Sequence, residues 1–202
     1  LRPDDQGAAA TEREAVDAPG DLTQKPARAA RTFKPGDHAS IAASVPALQP
    51  EQVDDVARIE TRFAKSDGHG MLITNGTGTG KTFTTLGTVK RFADQGKGNV
   101  LIIVKTDGEI RNYLDSAPVS GVDLTRLEDT KDAGSGAVIT TYANMASNNA
   151  LAGREWDMIV ADESHMLSMN KTGDETGALK ALRAISNKPS HAMSKAHMVL
   201  AD

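Results

Sequence analysis

No cysteine occurs among the 202 residues, which excludes disulfides and thiolate metal sites and fits a reducing compartment. Aromatic residues make up only 3%. The single tryptophan, Trp156, stands just before an apolar strand and reads as a packing residue rather than a base-stacking platform. No long hydrophobic run is present: the strongest, VLIIV at 100–104, falls far short of the roughly 20 residues of a membrane-spanning helix. No charged-then-apolar leader opens the chain, so a cytoplasmic protein without membrane attachment is expected. There is no excess of positive charge either. The net charge is −4, so any contact with nucleic acid has to be local rather than the work of a polybasic field.

What is present is a globular composition, 39% hydrophobic and 25% charged, after an atypical start. Residues 1–36 are rich in Ala, Pro, Asp and Arg and hold few large apolar side chains. Such a segment cannot offset its own ordering entropy and is expected to be a disordered arm or linker. Residues 37–202 are expected to form one domain. The opening Leu1 and the closing HMVLAD, which reads as a strand cut short, suggest a piece of a longer protein.

Within the domain, Val53, Val56, Ile59 and Phe63 recur at helical spacing. GMLIT then reads as a short buried strand, and KTFTTLGTVKRFADQGKG as a helix with Phe83, Leu86, Val89 and Phe92 on one side. NVLIIVK, VDLTRL, AVITTY, WDMIVADE and HMVLA read as further strands, with helices at GEIRNYLDSA and TGALKALRAIS. Strands apolar on both faces and alternating with helices predict an α/β fold, a mostly parallel sheet with helices on both sides.

Between the first strand and its helix lies ITNGTGTGKTF. Gly76, Gly78 and Gly80 permit backbone angles closed to other residues, so successive N–H groups can turn towards an anion. The helix start adds unpaired donors and the positive end of its dipole. Strand, glycine-rich loop, Lys-Thr and helix together form a phosphate-binding loop, with Thr77 and Thr79 donating from within it. Lys81 would bridge the β- and γ-phosphates of a nucleotide, and Thr82 would offer its hydroxyl to Mg²⁺. Asn75 stands where the pattern usually has Gly or Ala. Further on, DMIVADESH puts Asp162 and Glu163 at the end of an apolar strand, where open α/β sheets bind ligands. Asp162 is expected to hold Mg²⁺ through water, and Glu163 to act as general base.

TGTGKT with VADESH resembles motifs I and II of the superfamily 2 helicases and translocases, in their DExH-box branch, and the likeness runs over about residues 45–202. Its order of segments looks most like phage- and plasmid-type helicases and strawberry-notch-like proteins. The resemblance implies a RecA-like ATP-binding domain, with ATP and Mg²⁺ as cofactors. It implies that Gln52 reads adenine and that His165 links the nucleotide site to the rest of the motor. Thr140, Thr141 and Tyr142 would lie near a nucleic-acid track, with Lys105 and Thr106 as backbone contacts. The implied partners are nucleic acid, DNA ahead of RNA, a second RecA-like domain in the same longer chain, and a fused methylase domain. Without that second domain the chain should bind ATP but hydrolyse it feebly, since losing an arginine finger costs about 10³–10⁵ in rate.

Two other readings compete. A GTP-binding switch has some support in DETG at 174–177 and NKPS at 187–190, although Ser190 replaces the aspartate that would read guanine. A non-enzymatic interaction module with a relic nucleotide site is the other.

Overall fold

The computed structural model describes residues 33–66, 68, 70–73, 80–129, 131–167, 169, 172–186 and, as backbone, 197–201. The expected arm therefore lies outside the described residues as far as Thr32. Residues 33–36, assigned to that arm by composition, are bonded to the domain. The Gly36 N–H donates to Glu60 Oε2 at 2.9 Å, and Arg91 lies over the Phe33 ring at 5.0 Å.

Six strands form one sheet: β1 (Gly70–Ile73), β2 (Val100–Val104), β3 (Leu124–Arg126), β4 (Ala137–Thr141), β5 (Met158–Asp162) and β6 (His197–Ala201). Their order is β1-β6-β5-β2-β4-β3, and every pairing is parallel. All carboxyl ends therefore point to one edge of the sheet. Six helices accompany them: α1 (His38–Ser44), α2 (Pro50–Phe63), α3 (Lys81–Asp94), α4 (Asp107–Ser116), α5 (Tyr142–Ser147) and α6 (Gly177–Ser186).

The apolar pattern explains the layering. Successive residues of a strand face opposite sides, and all five residues of β2 are buried. Val100, Ile102 and Val104 join a cluster with Ile59 and Phe63 of α2, Leu86, Val89 and Phe92 of α3, and Ile110 and Tyr113 of α4. Leu101 and Ile103 join the opposite cluster, with Tyr142 and Met145 of α5 and Leu182 and Ile185 of α6. Each fully buried aliphatic side chain contributes about 1.5–3 kcal/mol, so the two faces hold the sheet between two helical layers. Trp156 is buried in the second cluster and donates its ring N–H to the Leu151 carbonyl at 3.0 Å, which is the packing role read from the sequence.

Local signals set the helix starts. Pro50 opens α2 behind a capping box formed by Gln49 and Gln52. Thr106 and Glu109 form the same device at the start of α4. Thr141 caps α5 by accepting from the Asn144 N–H at 3.2 Å. That cap shortens the strand read as AVITTY, so Tyr142 becomes the first residue of a helix.

Candidate nucleotide site

Two chain segments bring the predicted site residues to the carboxyl edge of the sheet. β1 ends at Ile73, and α3 begins at Lys81, with Thr82 as its second residue. The loop carrying Gly76, Thr77, Gly78 and Thr79 lies outside the described residues. Gly80 is described. It precedes α3 with φ +73°, in the left-handed region, and a Cβ there would meet Gln52 Nε2 at 2.2 Å. Both facts call for glycine at that position.

Gln52 is buried in the first turn of α2. Its Oε1 accepts from the Gln49 N–H at 2.9 Å, and its Nε2 donates to the Gly80 carbonyl at 3.3 Å. The side chain expected to read adenine thus ties α2 to the end of the phosphate loop.

Asp162 ends β5 and Glu163 follows it. Only β6 separates β5 from β1, so the two strand ends lie about 10 Å apart at ordinary strand spacing. The Asp162 carboxylate has two donors: Tyr113 Oη on Oδ2 at 2.8 Å, and the Glu163 N–H on Oδ1 at 3.1 Å. Burial raises its pKa above the ordinary carboxylate value, while these two hydrogen bonds pull it back in part. Burial, then the Asp162 charge, pushes the Tyr113 hydroxyl well above the usual tyrosine range. Tyr142 donates to the Asp162 main-chain carbonyl at 2.7 Å.

Glu163 has φ +56° and is the non-glycine residue recorded with a positive φ among the described residues. Holding an L-residue there costs on the order of 1–3 kcal/mol and persists where surrounding structure imposes it, commonly at functional sites. His165 Nδ1 lies 3.2 Å from Glu163 Oε2, and both side chains are well exposed. Such a surface pair adds little stability but fixes which way the glutamate faces.

An Mg²⁺ site is chemically consistent with these residues. The oxygen donors available are the Thr82 hydroxyl and the carboxylates of Asp162 and Glu163, the hard ligands that Mg²⁺ takes alongside phosphate and water. Each Asp162 oxygen accepts one hydrogen bond and keeps a further lone pair.

The remaining predicted residues lie along the same edge. Lys105 and Thr106 donate their backbone N–H groups to Glu109 Oε2 at 2.8 and 2.7 Å, and the Thr106 hydroxyl serves as a helix cap. Thr140 is fully buried, and its hydroxyl has no hydrogen-bond partner. Together with Thr141, Asp107, Arg126, Glu128 and Asn144 it lines an open pocket of about 200 Å³. Of the segments that favoured a GTP switch, residues 187–190 lie outside the described residues. DETG precedes α6 without following a strand of the sheet. Sequence reasoning missed Tyr113. Tyr113 reads as a packing position three residues after Ile110, and nothing local marks its hydroxyl as bound to a carboxylate 49 residues away.

The model of the family described as "Type III restriction enzyme, res subunit" matches residues 46–196. The chain belongs to this family. Its fold is that of the RecA-like domain of superfamily 2 helicases. A solved structure of the Sulfolobus solfataricus SWI2/SNF2 ATPase core in complex with dsDNA is similar at 20% identity and TM-score 0.59, covering 76% of this chain and 31% of that one. The same organism's SWI2/SNF2 ATPase core domain is similar at 21% identity and TM-score 0.55, covering 76% and 30%. A nuclease-deletion mutant of the Type ISP restriction-modification enzyme LlaGI, in complex with a DNA substrate mimic, is similar at 18% identity and TM-score 0.50, covering 76% and 17%. This res-family chain thus spans less than a third of the length of each of these proteins. No curated protein sequence matches it.

Proposed function

We propose that this chain is the first RecA-like, ATP-binding domain of a DExH-type motor acting on DNA. One observation carries the reading. Asp162 and Glu163, the latter in a strained backbone conformation, sit at the carboxyl end of β5. On the same sheet edge β1 leads into a helix that begins Lys81-Thr82, with Gln52 bonded to Gly80 in front of it.

In this reading the loop N–H groups and Lys81 hold the β- and γ-phosphates, Gln52 holds the adenine end, and Thr82 and Asp162 hold Mg²⁺, the latter through water. Bound Mg²⁺ supplies neutralisation of charge developing on the phosphates. Glu163 orients and deprotonates the attacking water, and His165 fixes the glutamate. Lys105, Thr106, Thr140, Thr141 and Tyr142 line the side turned to nucleic acid, with the 200 Å³ pocket beside Thr140 and Thr141 as the phosphate-facing part. Hydrolysis at full rate and translocation require a second RecA-like domain in the longer protein. That two similar structures are DNA complexes supports DNA over RNA. That one of them is a restriction-modification enzyme supports a modification domain in the same protein, of the kind found in phage- and plasmid-borne systems. No described helix is long and apolar enough to cross a membrane, in keeping with work in the cytoplasm.

The test is Glu163→Gln in the full-length protein, assayed for DNA-stimulated ATP hydrolysis. Turnover should fall by about 10²–10⁴ with ATP affinity retained. Undiminished turnover would remove Glu163 from its role.

A further inference from the structure

The chain contains two tyrosines, and both hydroxyls end on Asp162. Tyr142, in the helical layer on one face of the sheet, donates to its main-chain carbonyl at 2.7 Å. Tyr113, in the layer on the other face, donates to its carboxylate at 2.8 Å. A side-chain link therefore runs from α4 to the end of β5. Tyr113 is buried, so water does not compete for its bond to Asp162.

The arrangement does more than fill space. Packing alone would be served by phenylalanine, whereas the hydroxyl adds a directional contact to a charged group. The terminal torsion of an aspartate is broad and roughly two-fold. Here the Glu163 N–H holds one oxygen and Tyr113 the other, so rotation is stopped, while a lone pair on each oxygen stays available. Tyr142 holds the main chain of the same residue, which leaves side-chain rotation as the freedom that Tyr113 removes.

We propose that Tyr113 is a positioning residue for the nucleotide site: its hydroxyl sets the orientation of the Asp162 carboxylate and thereby sets the affinity for nucleotide-bound Mg²⁺. The inference rests on the reading of Asp162 as the metal-holding carboxylate. Groups that orient metal-binding carboxylates typically change metal affinity about 10–100-fold when removed.

The experiment is a Mg²⁺ titration of fluorescent ATP-analogue binding to the full-length protein, with thermal melting in parallel. In Tyr113→Phe the Mg²⁺ midpoint should rise about tenfold, with affinity in EDTA unchanged. Ile59→Val, a change in the buried face of α2, should lower the melting temperature without moving the midpoint. An unmoved midpoint in Tyr113→Phe overturns the proposal, as does an equal shift in Ile59→Val, which would mean general loosening. If Asp162→Asn abolishes the Mg²⁺ dependence and Tyr113→Phe leaves it alone, the positioning role fails and the reading of the site stands. If the unaltered protein binds nucleotide without any Mg²⁺ dependence, the reading of Asp162 falls and takes this proposal with it.

Discussion

Glu163 holds its backbone at φ +56°, where a side chain is a liability and glycine is at ease. In the proposed mechanism the carboxylate at this costly position takes the proton of the attacking water. Glu163→Ala and Glu163→Gly should therefore both lose turnover yet differ in stability. The glycine variant should be the more stable by about 1 kcal/mol, measured by urea unfolding. Equal stability would mean that the conformation is not strained. At this scale the sequence was informative where chemistry and conformation use the same residue type. Gly80 could be assigned a left-handed conformation because the phosphate-loop pattern asks for one. Glu163 could not, because nothing in a glutamate announces positive φ. Tyr113 was illegible for a related reason: its partner lies at the end of β5, and only the folded chain brings it to the hydroxyl.

Among the elements, α2 and α3 depend on one ion pair. Arg91 Nε bonds Glu60 Oε1 at 2.6 Å, with side-chain exposures of 6% and 0%. Arg91 also donates to the Ser40 hydroxyl at 3.0 Å, and the Gly36 N–H to Glu60 Oε2 at 2.9 Å. The pair therefore collects α1, α2, α3 and the segment before α1 around one point, behind the helix that starts at Lys81. Arg91→Ala leaves Glu60 buried without its cation and should cost about 3–5 kcal/mol. Replacing both residues together, as Arg91→Met with Glu60→Leu, should recover most of that loss. A double-mutant cycle in urea checks it, and additive losses would show that the pair is not a unit. The stripe of Val53, Val56, Ile59 and Phe63 made α2 legible, as VLIIV did for β2, because burial leaves a periodic trace. Arg91 and Glu60 sit on the same helices without any such trace, since a buried charge looks like a surface charge until its partner is known. The helix at Tyr142 was hidden likewise: Thr140 and Thr141 are good strand formers, and only the Thr141 cap turns the chain.

For the whole molecule, parallel pairing throughout the sheet places the ends of β1 and β5 on one edge, the edge that carries Asp162 and Glu163. Alternation of strands and helices predicted this class of fold. The insertion of β6 between β1 and β5 is a long-range choice that periodicity does not encode. The chain spans less than a third of the length of the SWI2/SNF2 ATPase core and LlaGI structures. The central claim is that this edge binds Mg²⁺-ATP through the phosphate loop. Its most direct test is a titration of the protein and of Lys81→Ala with fluorescent ATP and GTP analogues, with and without Mg²⁺. The account predicts Mg²⁺-dependent binding that prefers adenine and is weakened at least tenfold in Lys81→Ala, equivalent to about 1.4 kcal/mol. Guanine preference, or affinity unchanged in Lys81→Ala, would contradict it.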